Sequence, residues 1–276
     1  MIRTGGILGA FAHPDDEQFG SAAAFLKCVE RGIPVQVLCA TRGDAGEISD
    51  PALATRENLA QVREDELLEA CAMLNFERPV ILNYMDGRLP DVPDGELRDQ
   101  LVGAMRWFKP RVVVSFEANG GYGHPDHIAM YQATIAAWEV VGDPNHRPDL
   151  GAPHRPDKLY AMAYRRSYMR MIDEALKALG ENGFELGDVQ TVPTEEIGTP
   201  DDLLTTVVPA LDYYDLRMKA MFTHRTQFGD DNFAKRFPDD LVRALVATDS
   251  FRRIYPAPAP DARLPDESDL WDGLPL

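Results

Sequence analysis

The sequence predicts an α/β fold, a Rossmann-like parallel sheet flanked by helices, with a mixed C-terminal region completing a pocket. Three observations predict it. Short apolar runs at residues 7–12, 35–40, 79–84 and 112–116 lack the polar alternation of a half-exposed strand, as strands covered on both faces do. Amphipathic stretches of helical period follow or separate them, at 21–31, 55–75, 96–108 and 128–141. This regular alternation of strand and helix calls for one parallel sheet with right-handed crossovers.

The elements follow in order. The run at 7–12 is a buried strand, and His13-Pro14-Asp15-Asp16-Glu17 lies at its C-terminal end, where open α/β sheets place their ligands. Pro14 sets the turn, and the helix at 21–31 puts Phe25, Leu26 and Val29 on its apolar face. Asp15 or Asp16 as an N-cap, with Glu17 in the first turn, would satisfy that helix, but leaves His13 and a second Asp unused. Gly32-Ile33-Pro34 leads to the second strand. The loop at 41–50, with glycines at 43 and 46, reads either as a pocket wall showing Arg42 and Glu47 or as a solvated loop. The helix at 55–75 aligns Leu59, Val62, Glu66, Leu67, Ala70 and Leu74, and Arg63 can pair with Glu66 across one turn. The third strand ends at Asp86-Gly87, where Asp86 either accepts from a ligand hydroxyl or shapes the turn. Lys109-Pro110 stops the helix at 96–108 before the fourth strand.

Beyond residue 141, Pro144, Pro148, Pro153 and Pro156 mark a loop at 142–157, a candidate lid. A strand at 158–164, a helix at 172–179, a strand at 204–208 and helices at 212–223 and 239–248 follow. The Pro- and Asp-rich stretch after Tyr255 reads as irregular. The expected organisation is one domain: a βα core with the site at 1–141, a substrate-side region at 142–255 and an irregular tail at 256–276.

A second cluster, Asn119-Gly120-Gly121-Tyr122-Gly123-His124-Pro125-Asp126-His127, also follows an apolar strand and precedes a helix. Two adjacent parallel strands would bring both His-Pro-Asp junctions to one sheet edge. His13, Asp16, His124 and His127 then offer nitrogen and oxygen donors to a divalent metal. The glycine spacing is not a dinucleotide fingerprint.

These motifs resemble the PIG-L/LmbE family of metal-dependent N-deacetylases. Ala-His-Pro-Asp-Asp-Glu is complete at 12–17 and His-Pro-Asp-His at 124–127. Thr41-Arg42-Gly43 with Gly46-Glu47, Arg63 with Glu66, Asp86-Gly87-Arg88-Leu89 and His224-Arg225-Thr226-Gln227 add to the likeness. The run before the second motif and residues 219–227 look most like mycothiol- or bacillithiol-pathway members. The resemblance implies a hydrolase of N-acetylglucosamine-type glycosides, with His13, Asp16 and His127 holding one Zn2+ per chain; Fe2+ or another divalent ion stays open. Asp15 is then the general base, and His124, as a cation, stabilises the oxyanion with Tyr122; either Asp15 or His124 protonates the leaving amine. Arg63, Asp86, Asn119 and Tyr122 are the expected substrate contacts. Asp126 orients a histidine or caps the helix. An amidase of thiol S-conjugates and a non-catalytic sugar- or metabolite-binding protein are the alternatives. A closed site with His124 as a fourth ligand would not hydrolyse anything.

The net charge of −17 over 276 residues argues against nucleic acid or an anionic membrane as partner. No apolar run reaches the length of a membrane span, and the expected location is cytoplasmic, with a small N-acetylated sugar as partner and homo-oligomerisation left open. Cys28, Cys39 and Cys71 sit singly in apolar elements and read as reduced core residues.

Overall fold

The computed structural model describes residues 3–183, 196–230 and 232–275. Apolar side chains on both faces bury β1 (Ile7–Phe11), β2 (Val35–Thr41) and β4 (Val112–Phe116) completely. With β3 (Val80–Tyr84) and β5 (Lys158–Met162) they form five parallel strands of a seven-stranded sheet, in the order β3-β2-β1-β4-β5-β7-β6. Ile7 of β1 stands opposite Val35 of β2 on one side and Val112 of β4 on the other. The chain steps outward from β1 to β3, then returns to begin again at β4. The strand order therefore reverses between β1 and β4, the point at which such sheets bind ligands beyond their carboxyl ends.

The helices are α1 (Ala22–Glu30), α2 (Leu59–Met73), α3 (Glu96–Phe108), the single turn α4 (Gly120–Gly123), α5 (Pro125–Val140), α6 (Arg166–Ala178), α7 (Tyr214–Met221), α8 (Phe233–Arg236) and α9 (Asp239–Leu245). Helices α3 and α5 pack on each other and on β1 and β4; α1 packs on β2, β6 and β7 and touches α7, which packs on α2. Phe11 anchors the core, its ring 5.7 Å from Phe116 edge-on and 6.4 Å from Phe25. Each such fully buried ring contributes about 1.5–3 kcal/mol. The three cysteines are free and buried, as expected.

The second half departs from the sequence reading. Strand β6 is Thr206–Pro209, and the stretch read partly as helix to 248 gives way to β7 (Thr248–Tyr255), antiparallel to both β5 and β6. Strand β7 carries charges: Arg252 pairs with Glu117 at 2.6 Å, and Arg253 with Asp266 at 2.8 Å and with Glu267. The tail is irregular, yet Glu267 bridges to Thr206, and Leu270 and Trp271 are buried. The loop at 142–157 is not a lid. Arg106 donates to the carbonyls of Val141, Asp143, His146 and Arg147, His154 bonds to Pro110 O, and Asp157 N donates to Arg111 O. These partners hold the loop at the start of β4, the end of the sheet opposite the histidine motifs. Part of the mixed stretch read at 181–210 lies outside the described residues.

Candidate metal centre

His13 and Asp16 follow β1, and His127 lies in the first turn of α5. Pro125 opens that helix and His124 caps it, its Nδ1 accepting from Asp126 N at 3.1 Å. The strand pairing brings His13 Nδ1 to 3.3 Å from His127 Nε2, and Asp16 Oδ1 to 3.3 Å from that same nitrogen. The ring nitrogens on the far sides are already engaged. His127 Nδ1 faces Gly120 O at 3.1 Å, so it carries the proton and leaves Nε2 bare. His13 Nε2 faces Asp126 Oδ2 at 3.1 Å and Asp86 Oδ1 at 3.0 Å, so in the neutral ring Nε2 holds the proton and Nδ1 is bare. Asp16 Oδ2 accepts from the backbone N–H groups of Ala12 and His13, and Oδ1 is turned to the cluster. Two bare imidazole nitrogens and a carboxylate oxygen thus converge, each oriented from behind, as a catalytic metal site requires. The residues fit the divalent ion that the motifs imply.

The surrounding charges are consistent with that reading. Burial opposes a proton on His13, but Asp126, Asp16 and Asp86 outweigh it and raise its proton affinity well above the ordinary range. A cation must displace that proton to bind. Burial would also raise Asp16, but His127 and His13 hold it well below the usual carboxylate range.

Asp15 occupies the left-handed region, with φ 108° and ψ −23°, at a cost of order 1–3 kcal/mol for a side chain with a Cβ. Its carboxylate meets Arg63 Nη2 at 3.1 Å. Burial, aided by Asp16 and opposed by Arg63, pushes the Asp15 carboxyl up to about 7. Neither Asp15 nor Asp16 serves as a side-chain cap for the following turn.

Arg63 does not pair with Glu66. It reaches inward to Asp15, Pro14 O at 2.6 Å and Gly43 O at 2.9 Å, while Glu66 accepts from the N–H and hydroxyl of Thr226. A Cβ on Gly43 or Gly46 would stand 2.3 Å from the Arg63 guanidinium, so both glycines make room for it. Asp86 lines the cavity, but one oxygen meets His13 and the other accepts from Ala45 N at 3.1 Å. Burial would raise Asp86; the His13 hydrogen bond and charge, the Arg63 charge and the Ala45 N–H together outweigh it and hold Asp86 at about 2. Asp126 is not an N-cap: its oxygens take the N–H groups of Gly87 and Leu89 as well as His13.

The remaining site residues separate. The His124 ring stacks on His127 at 4.6 Å, and burial together with the His127 and His13 charges lowers it to about 4. It is therefore neutral at pH 7, with its proton on Nε2, rather than the cation expected. Tyr122 lines the cavity with its ring 5.3 Å from His127, and burial raises its hydroxyl well above the usual range. Asn119 does not line the cavity: its side chain accepts from Gly121 N at 2.9 Å and closes the α4 turn. Of the loop at 41–50, Glu47 lines the cavity, whereas Arg42 turns away to Glu64 and Gln61.

The cavity measures about 830 Å³; beside the metal cluster it is lined by the apolar Phe19, Tyr168, Met169, Ile172, Leu176, Leu245 and Val246 and by the polar Glu181, Asn232 and Arg236. Tyr164, Arg165 and Arg217 also line it, and the sequence reading missed all three. Only Arg217 left a trace, lying just before the family-like stretch at 219–227.

Comparisons with known proteins agree with this geometry. The chain is 31% identical over 97% of its length to the mycothiol S-conjugate amidase of Streptomyces coelicolor, 97% of which is covered. It is 30% identical to a 1D-myo-inositol 2-acetamido-2-deoxy-alpha-D-glucopyranoside deacetylase of Geodermatophilus obscurus, over 98% of each chain. The N,N'-diacetylchitobiose deacetylase of Pyrococcus horikoshii shares the fold, with a TM-score of 0.68 at 20% identity over 93% of this chain and 88% of that one. A family model, PIG-L: GlcNAc-PI de-N-acetylase, matches residues 8–138, which hold both histidine motifs. On this full-length identity and on the shared motif region, the chain belongs to the PIG-L family.

Proposed function

We propose that this protein is a metal-dependent hydrolase that removes the acetyl group from a small N-acetylglucosamine-type glycoside. The observation that carries the reading is the pair of bare nitrogens on His13 and His127 facing Asp16, with Asp15 beside them in a buried cavity. The proposed ion is Zn2+, held by His13, Asp16 and His127; when bound it supplies Lewis acidity to the amide carbonyl and acidifies a water. Asp15 takes the proton of the attacking water. A base near neutral strength suits that task, and burial gives Asp15 that strength. As the tetrahedral centre collapses, Asp15 returns the proton to the amine nitrogen, and acetate and the free amine leave. His124, neutral, offers its Nε2–H to the oxyanion, with the Tyr122 hydroxyl beside it. Arg63 holds Asp15 in place, and Asp86 has spare lone pairs for a sugar hydroxyl.

A second reading keeps the same bond cleavage and changes the substrate to an N-acylated thiol conjugate. The apolar side chains in the cavity lining favour it, since they suit a larger substituent than a bare glycoside carries, and so does the amidase among the full-length relatives.

The test is amine release by the zinc-loaded protein from N-acetylglucosaminyl-inositol, N-acetylglucosaminyl-malate, N-acetylglucosamine, chitobiose and a thiol S-conjugate. Highest kcat/KM on a glycoside supports the deacetylase reading. Highest kcat/KM on the S-conjugate replaces it with the amidase, and no release from any of them contradicts both.

A further inference from the structure

Glu17 is the third acid of the first motif, and the reaction gives it no task. It is fully buried together with His224, from the turn after α7. Glu17 Oε1 accepts from His224 Nε2 at 2.7 Å and from Gln18 Nε2 at 2.8 Å. Its other oxygen accepts the backbone N–H of Asp15 at 3.0 Å. The Ser21 hydroxyl fixes Glu17 from behind by donating to its carbonyl at 3.0 Å. Neither Glu17 nor His224 lines the cavity, so neither reaches a substrate.

Two features set this pair apart from an ordinary buried ion pair. The N–H that Glu17 holds belongs to Asp15, the one non-glycine residue of the site with a strongly positive φ. Such a conformation persists only where neighbouring groups over-determine it. His224 Nδ1 is buried and has no hydrogen-bond partner among the described residues, so the side chain keeps an unsatisfied atom to direct its other nitrogen at Glu17. A residue serving only to fill space would not carry that cost.

We propose that Glu17 and His224 are positioning residues for Asp15. They hold its backbone in the left-handed turn and so aim its carboxylate into the cavity, while Arg63 holds the carboxylate itself. This inference rests on Asp15 being the general base, and the experiment separates the two claims.

Four zinc-loaded single variants, Asp15→Ala, Glu17→Gln, His224→Leu and His224→Gln, are compared with the double variant Asp15→Ala/Glu17→Gln. The measurements are metal content, thermal midpoint, KM and kcat, with single-turnover conditions for the slow variants. Glu17→Gln cannot accept from both the Asp15 N–H and His224. It is expected to keep its metal and KM and to lose kcat by about 10- to 100-fold, the usual effect of a misplaced catalytic group. His224→Leu should lose a similar factor, and His224→Gln, which keeps a donor, should recover most of it. In the Asp15→Ala background Glu17→Gln should cost nothing further, because both changes remove the same contribution. A full multiplicative loss in that background, loss of metal from Glu17→Gln, or kcat within about twofold of the parent in Glu17→Gln would each overturn the positioning role. Near-parent kcat in Asp15→Ala would remove the base reading by its own measurement, and the positioning role with it. If His224→Leu does not fold, Glu17→Gln and the double variant still decide.

Discussion

At the scale of single residues, the site works by opposing burial against charge. Asp15 is driven toward neutrality by burial and held back by Arg63, which leaves its carboxyl at about 7. Replacing Asp15 with Ala should leave the metal bound and lower kcat by ~10²–10⁴-fold, measured on the metal-replete variant. His13 gives a pH dependence. Its proton affinity is raised, so the proton it carries competes with the ion over a wide pH range. Metal affinity should therefore fall as pH falls, by about tenfold per unit for one displaced proton. Equilibrium dialysis of zinc between pH 5.5 and 8 tests this, and a flat profile would show that His13 is not a ligand. These residues were legible in the sequence because their donors sit close together in the chain, just past the ends of two strands. The direction Arg63 takes was legible only through the family resemblance. Three residues' spacing to Glu66 permits a pair on one helix, and only the packing of the 41–50 loop against α2 sends the guanidinium to Asp15 instead.

At the scale of elements, the loop after β2 forms one wall of the cavity through Ala45, Gly46 and Glu47. Gly46 sits over the Arg63 guanidinium with ordinary backbone angles, so Gly46→Ala should fold. Its new methyl would displace the flexible end of Arg63 and lower kcat by roughly tenfold, a cost typical of a displaced catalytic carboxylate. An unchanged kcat would detach Arg63 from Asp15. Asn119→Ala should behave differently. It removes a cap from a turn, costs about 1 kcal/mol in denaturant unfolding, and leaves KM as it was. Strand β4 and α3 were read to the residue, and β1 and β2 to within one, because apolar runs and helical periods mark them strongly. Strand β7 was not. Its Arg252 and Arg253 are stabilised by Glu117, Asp266 and Glu267, partners that lie far away in sequence, so no local period announced a strand.

At the scale of the whole molecule, the tail packs back on the sheet, and one of its carboxylates, Glu267, joins β5, β6 and β7. Burial would raise Glu267, but Lys158 at 2.7 Å, Thr206 and Tyr160 outweigh it and hold it below the ordinary value. A lowered folded pKa means that this stabilisation is complete above the unfolded value near 4.3 and is lost as pH falls through the folded one. Glu267→Gln should lower stability by about 1–3 kcal/mol at pH 7 and lessen the parent's loss of stability between roughly pH 4.5 and 3, read by urea unfolding at each pH. The site itself depends on the strand order, since only the pairing of β1 with β4 brings the two histidine motifs together. The most direct measurement is therefore a titration of zinc into metal-stripped protein while amine release from N-acetylglucosaminyl-inositol and from an S-conjugate is followed. The account predicts release on at least one of them, rising to a plateau at about one ion per chain and absent in His13→Ala and His127→Ala. Full release by the stripped protein, or a plateau of bound zinc with no release from either compound, would contradict it.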